Sequence, residues 1–180
     1  MRSLFPTLGL LAGGLVAAAS PAAAQAPADH ATHAAPTTLD PAMLARVKGV
    51  KEATERFRDF EAAKAAGYVE QFPAGCIETA DGSQGFHWLN PSLVDTTVDP
   101  LAPELVMYEP QADGSMQLIG VDYVVPFDQW TAAEPPTLFG MPLGRNEKLS
   151  VYAIHIWTER LNPSGTFAMF NPSVSCKYAK

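Results

Sequence analysis

The sequence predicts an α+β fold: an N-terminal amphipathic helix packed on a curved, mainly antiparallel β-sheet and stapled by one disulfide. Three observations carry this expectation. Between residues 40 and 66 apolar side chains recur at steps of three and four, the period of one helix face. After Gly67 the apolar residues fall instead into short β-branched and aromatic runs, separated by Gly, Pro, Asn and Asp. The chain of 180 residues carries two cysteines, Cys76 and Cys176.

The elements follow in order. Residues 1–24 have one early positive charge at Arg2, a short apolar run and a small-residue site at Ala22-Ala23-Ala24, the pattern of a cleaved secretory signal peptide. The apolar run is too short for a membrane span, which needs roughly 20 residues. Residues 25–39 are mostly Ala, Pro, Thr and His and read as a flexible tail; His30 and His33 belong to it. A single α+β domain is expected from 40 to 180. Asp40-Pro41 supplies an N-cap acid followed by proline at the first helical position. Met43, Val47, Val50, Thr54 and Phe57 form the apolar stripe, with Leu44 and Phe60 alongside, and Gly67 is a ready C-cap. Gly49 is a point at which the helix could split.

Strands are expected at 68–72, 84–90, 104–109, 116–125 and 150–158, with a short piece near 166–170. Asp113-Gly114 reads as a hairpin turn between the third and fourth. In 116–125, Ile119, Val121, Tyr123 and Val125 are expected on one face, and Leu118, Gly120, Asp122 and Val124 on the other. In 150–158, Val151, Ala153, His155 and Trp157 alternate with Tyr152, Ile154 and Ile156. Both faces are largely apolar, so both should be covered. The helix accounts for one, and the proline-rich loop 127–146, with Trp130 and Phe139, could cover part of the other as a lid or binding loop. The sheet is then either an open half-barrel with a cavity, the preferred form, or one layer of a two-layer sandwich. Asn-Pro-Ser occurs at Asn90, Asn162 and Asn171; the proline disqualifies each as a glycosylation acceptor, and Asn-Pro reads as turn punctuation.

In an exported chain an even cysteine pair points to a disulfide, Cys76–Cys176, worth about 4.7 kcal/mol for a loop near 100 residues in the chain-entropy description. The formal net charge of −7 argues against nucleic acid and anionic membranes as partners. From Gly85 onward the order Gly-Phe-His-Trp-Leu-Asn-Pro, then Gly120-Val121-Asp122-Tyr123, His155-Ile156-Trp157 and a terminal Asn171-Pro172 with Cys176 resembles an uncharacterised group of secreted bacterial proteins. The resemblance implies a periplasmic or extracellular location and a single domain, and it implies no catalytic residues.

The chemistry centres on His87, in Gly85-Phe86-His87-Trp88-Leu89, and His155, in Ile154-His155-Ile156-Trp157. One expectation is a binding module for a small molecule: an aromatic pocket walled by Trp88, Tyr123, Trp130, Phe139 and Trp157 and polarised by the two histidines. The alternative is a metal-dependent enzyme in which His87, His155 and a carboxylate from Glu104, Glu109 or Asp122 hold a divalent metal with open positions. No local spacing such as H-x-H or H-E-x-x-H supports that set. The bland reading is a pair of satisfied core histidines in a structural envelope protein without a pocket. Nucleophilic catalysis lacks a G-x-S-x-G elbow. The deciding question is geometric: whether His87 and His155 share a face near one of the acids.

Overall fold

The computed structural model describes residues 39–180; the expected signal peptide, His30 and His33 lie outside the described residues. Helix α1 (Pro41–Thr54) begins as the sequence predicts, with the Met43 amide donating to Asp40 Oδ1 at 2.7 Å. Its stripe is buried at Val50 and Thr54, while Leu44 faces solvent. The helical region does break, though not at Gly49. A 3-10 turn, Glu55–Arg58, tightens the chain, and Asp59 caps the short α2 (Phe60–Ala65) through the Glu61 amide. The break turns Phe57 and Ala63 inward together. Gly67, at φ 103°, then closes α2: Gly67 N–H donates to the Lys64 carbonyl and Tyr68 N–H to that of Ala63, the paired bonds of a Schellman end.

Nine short strands follow. They are β1 (Glu70–Gln71), β2 (Ile77–Thr79), β3 (Gly82–Leu89), β4 (Leu105–Pro110), β5 (Met116–Pro126), β6 (Thr137–Leu138), β7 (Met141–Pro142), β8 (Gly144–Asn146) and β9 (Val151–Ile156). Seven of them form one sheet in the order β1-β3-β4-β5-β9-β8, with β2 also paired to β3. The pairings are antiparallel and the sheet is open, not a closed barrel. All five main expected strands are present in shortened or lengthened form; β2, β6, β7 and β8 were not expected, and 166–170 is not a strand. The turn at Asp113-Gly114 does join β4 to β5, with Gly114 at φ 86°.

One face of the sheet packs on the helices. Phe57, Ala63 and Val50 meet Val106, Tyr108, Val121, Tyr123, Val125 and Ile154 in one cluster. Burying a side chain such as Phe57 stabilises by about 1.5–3 kcal/mol. Three buried tyrosines hold the cover in place by donating to backbone carbonyls: Tyr108 to Phe57 (2.6 Å), Tyr68 to Pro103 (2.8 Å) and Tyr123 to Pro100 (2.7 Å).

The alternation expected along β5 fails at one point. Met107 pairs with Gly120, but Tyr108 pairs with Leu118, so Ile119 is an extra residue in a β-bulge. The bulge exchanges two faces. Leu118 joins the helix-side cluster, whereas Ile119 packs with Met107, Trp157 and Val174 on the opposite side.

Most of the loop 127–146 does not cover that opposite side; its end, Gly144, Arg145 and Asn146, borders the open space there. Its Trp130 and Phe139 pack against the helix-side cluster, and its last residues form the edge strand β8. Phe139 (φ 56°) and Gly140 (φ 83°) are the two central residues of the β6–β7 hairpin, whose positive φ values suit a two-residue turn. The cover comes instead from the C-terminal segment. Trp157 N–H donates to the Thr166 carbonyl, Ser83 and Asn171 exchange backbone bonds, and the Cys76–Cys176 disulfide (Cα–Cα 5.8 Å) closes the segment onto the start of the sheet. The three Asn-Pro-Ser turns do more than punctuate. In each, Asn Oδ1 accepts the amide of the serine two residues on, while Nδ2 donates to a remote carbonyl: Ala66 for Asn90, Phe170 for Asn162 and Leu161 for Asn171.

Candidate functional site: a cavity floored by His87, Asp122 and His155

Register brings the two histidines to one face. Directly opposed residues in antiparallel strands project to the same side. His87 on β3 opposes Met107 on β4, which opposes Gly120 on β5; Asp122, two residues along β5, opposes His155 on β9. His87 must still reach across β4 to meet the others. Gly120 has no room for a side chain on this face, since a Cβ there would lie 2.9 Å from Met107 Cε and 2.5 Å from the Ile156 carbonyl oxygen.

The three side chains meet in the interior. His87 is 2 % exposed, Asp122 5 % and His155 8 %. His87 Nε2 lies 3.2 Å from His155 Nε2, His155 Nε2 is 3.4 Å from Asp122 Oδ2, and His87 Nε2 is 3.9 Å from the same oxygen. His155 Nδ1 donates to the Met169 carbonyl at 3.0 Å, so the C-terminal cover sets the orientation of this ring. His87 Nδ1 and Asp122 Oδ1 are buried without a hydrogen-bond partner. Burial, reinforced by the neighbouring His155, lowers the His87 pKa to about 4 against the opposing pull of Asp122, so His87 is neutral at pH 7. For His155, burial also works against the cation, but Asp122 and the Met169 carbonyl outweigh it and the pKa is raised.

These groups form the floor of a cavity of about 470 Å³ whose lining is mostly apolar. Phe72, Ile77, Val124, Leu149, Val151 and Phe167 supply its walls, and Ala153 leaves space beside His155. The trio divides this face of the sheet into two apolar clusters, one around Leu89, Leu105, Val124 and Val151 and one around Met107, Ile119, Trp157 and Val174.

Several expected site residues lie elsewhere. Trp88, Tyr123, Trp130 and Phe139 belong to the helix-side cluster and do not wall the cavity. Trp88 stacks edge-on against Phe60, Trp130 Nε1 donates to the Glu134 carbonyl, and Phe139 sits beneath Arg46. Alternation along β3 and β5 sends Trp88 and Tyr123 away from the face of their neighbours His87 and Asp122. Trp157 is on the site face, 6.1 Å from the His155 ring, but it is locked into the Met107 cluster by its bond to the Ala168 carbonyl. Among the carboxylates, only Asp122 joins the histidines. Glu104 ends the β4 ladder by accepting the Val124 amide at 3.1 Å, and burial pushes its carboxyl up to about 8. Glu109 instead pairs with Arg160 and accepts the Ser175 amide, so it anchors the cover. The sequence reading named none of the cavity walls; Phe72, Leu149 and Phe167 sit in loops, and only the path of the chain reveals them.

The donor set of two imidazoles and one carboxylate is one that can hold a divalent metal. Comparison with family models, curated proteins and solved structures finds no match to this chain. No helix among the described residues is long and apolar enough to cross a membrane.

Proposed function

We propose that the protein is an exported binding module that takes a small, largely apolar molecule into the cavity above His87 and His155. The observation that carries this reading is a partly open space of about 470 Å³, with mostly apolar walls and a convergent polar floor. That volume falls within the range of roughly 300–1,000 Å³ usual for small-molecule sites. In a well-packed interior, a space of that size on the face where two apolar clusters part is not accounted for by packing alone. His87 is neutral, so it adds no buried charge to the ligand's surroundings. Export is supported by the disulfide, which persists in oxidising compartments, and by the signal-like first 24 residues.

The test uses Ala153, which lines the cavity two residues from His155 on the same face of β9. Leucine there fills the space next to the floor. Wild-type protein is expected to bind an apolar fluorescent probe such as anilinonaphthalene sulfonate in its native state. Ala153→Leu should weaken that binding by at least tenfold, equivalent to about 1.4 kcal/mol, with the denaturation midpoint little changed. Equal probe binding by the two folded proteins, or none by wild type, would leave a structural envelope protein as the better description.

A further inference from the structure

The cavity floor has a property that ligand binding does not require. The three atoms His87 Nε2, His155 Nε2 and Asp122 Oδ2 form a triangle with sides of 3.2, 3.4 and 3.9 Å. A single point in its plane lies about 2 Å from all three, which is the bond length of zinc to imidazole nitrogen and carboxylate oxygen. We propose that these atoms form a mononuclear site for a divalent transition metal of the zinc class, with the remaining coordination positions opening on the cavity. This deepens the cavity reading by naming what sits at its floor.

Hydrogen bonding alone leaves the trio incomplete. A carbonyl can only accept, so the contact with Met169 O places a proton on His155 Nδ1. With a neutral ring, His155 Nε2 is then a bare lone pair and gives nothing to Asp122. His87 Nε2–H can donate to that lone pair at 3.2 Å, but it stands 3.9 Å from Asp122 Oδ2, beyond hydrogen-bond reach, so the carboxylate still receives no proton. If His155 instead carries a second proton, that one N–H can serve His87 or Asp122 and not both. In either state Asp122 Oδ1 keeps no partner, and His87 Nδ1 keeps none whether or not its Nε2 is ligated. Among the described residues, the two imidazoles are the only ion-pair partners of Asp122. Buried polar groups are ordinarily satisfied. A cation at the common point answers both lone pairs and the carboxylate at once.

The surroundings fit a metal centre as well. The Met169 carbonyl fixes the tautomer and tilt of His155, as the outer partners of metal-bound histidines do. The ligands rise from β3, β5 and β9, members of one sheet, so the geometry is set before any ion arrives. Three protein ligands with space above them is the arrangement of sites that keep an open position for water or a bound molecule.

The experiment uses the full chain, purified without a histidine tag, stripped with a chelator and titrated with Zn²⁺ by calorimetry and with Co²⁺ by visible absorption. Because His30 and His33 are also imidazoles, His30→Ala/His33→Ala is titrated in parallel. One equivalent of each metal should bind to wild type and to this double variant, with Co²⁺ absorption bands of low-coordinate nitrogen and oxygen ligation. Asp122→Asn, nearly the same shape, should bind at least about tenfold more weakly. No binding by wild type, binding lost with the tail histidines, or unchanged binding by folded Asp122→Asn each overturns the site. Should Asp122→Asn fail to fold, NMR of the Co²⁺-loaded wild type decides: two paramagnetically shifted imidazole N–H signals are expected, and their absence overturns the proposal. The two readings fail separately. A protein that binds metal but no apolar probe loses the cavity function alone, and one that binds the probe but no metal loses the metal site alone.

Discussion

The two faces of the sheet are built from the same strands, one residue out of phase, yet they are different kinds of interior. On the helix side, alternate residues of β4, β5 and β9 form one continuous apolar cluster, in which the Tyr68, Tyr108 and Tyr123 hydroxyls each find a carbonyl and Trp88 Nε1 is buried without a partner. On the other side the apolar residues split into two clusters with His87, Asp122 and His155 between them, and two of the trio's atoms go unpartnered. The covers differ in the same sense. Helices seal the first face through side-chain packing, whereas an irregular segment holds the second through asparagine clamps, a disulfide and backbone carbonyls. One face is specialised for stability. The other accepts polar burial and empty volume, the expected compromise at a functional site.

Perturbing each face should expose that division. The largest effect is expected from Phe57→Ala, which opens a hole where the 3-10 turn meets Tyr68 and Tyr108. Urea denaturation should record a loss of about 3–5 kcal/mol. Probe binding by the protein that remains folded should be unchanged; a parallel loss of binding would mean that the two faces are not independent.

The next effect is a pH dependence set at Glu104, whose charge adds to burial in raising the hydroxyl pKa values of Tyr68 and Tyr123. Its carboxyl is raised from 4.5 to about 8 by burial first, with Asp122 and Asp95 adding to it against the bonds from backbone amides. The native state therefore keeps this proton where the unfolded chain has released it. Glu104 contributes its full stability below about pH 4.5, and that contribution falls as pH rises toward 8. Glu104→Gln, a neutral mimic of the protonated acid, should abolish this decline. Its gain over wild type at pH 8 relative to pH 5 is expected to be on the order of 3 kcal/mol, by the conversion of 1.36 kcal/mol per pKa unit. Parallel stability–pH curves for the two proteins would show that Glu104 is ionised in the fold.

The smallest of the three concerns the cover of the site face. Asn171→Ala removes the bonds to Ser173 N and the Leu161 carbonyl at a residue with no exposure. A loss of about 2 kcal/mol is expected. Unlike Phe57→Ala, it should also speed hydrogen exchange of the Trp157 amide, which is tied to Thr166 under the cover. An unchanged exchange rate would place the stabilising role of Asn171 elsewhere.

Much of this division was legible in the residues. The Asp40 cap, the Gly67 stop, the five principal strands, the Asp113-Gly114 hairpin and the Cys76–Cys176 pairing all depend on backbone geometry over a few residues or on the count of cysteines. His155 and Trp157 could be placed together on one face because side chains alternate along a strand. Such alternation relates residues within a strand and says nothing about which side of the sheet a given strand presents to its neighbours.

That second step belongs to the tertiary structure. Placing β4 between β3 and β5 is what brings His87 to Asp122, and pairing β5 with β9 is what brings His155 opposite it. The bulge at Ile119 exchanges faces for a reason found only in the register of two strands. The choice of Asp122 over Glu104 and Glu109, and of Phe72 and Phe167 over the tryptophans as walls, depends on where loops cross the sheet. From the sequence alone follow the helix, the strands, the cross-link and two histidines in apolar surroundings. Whether those histidines meet was decided by strand order and by the cover, because both are contacts between residues far apart in the chain, which local periodicity does not encode.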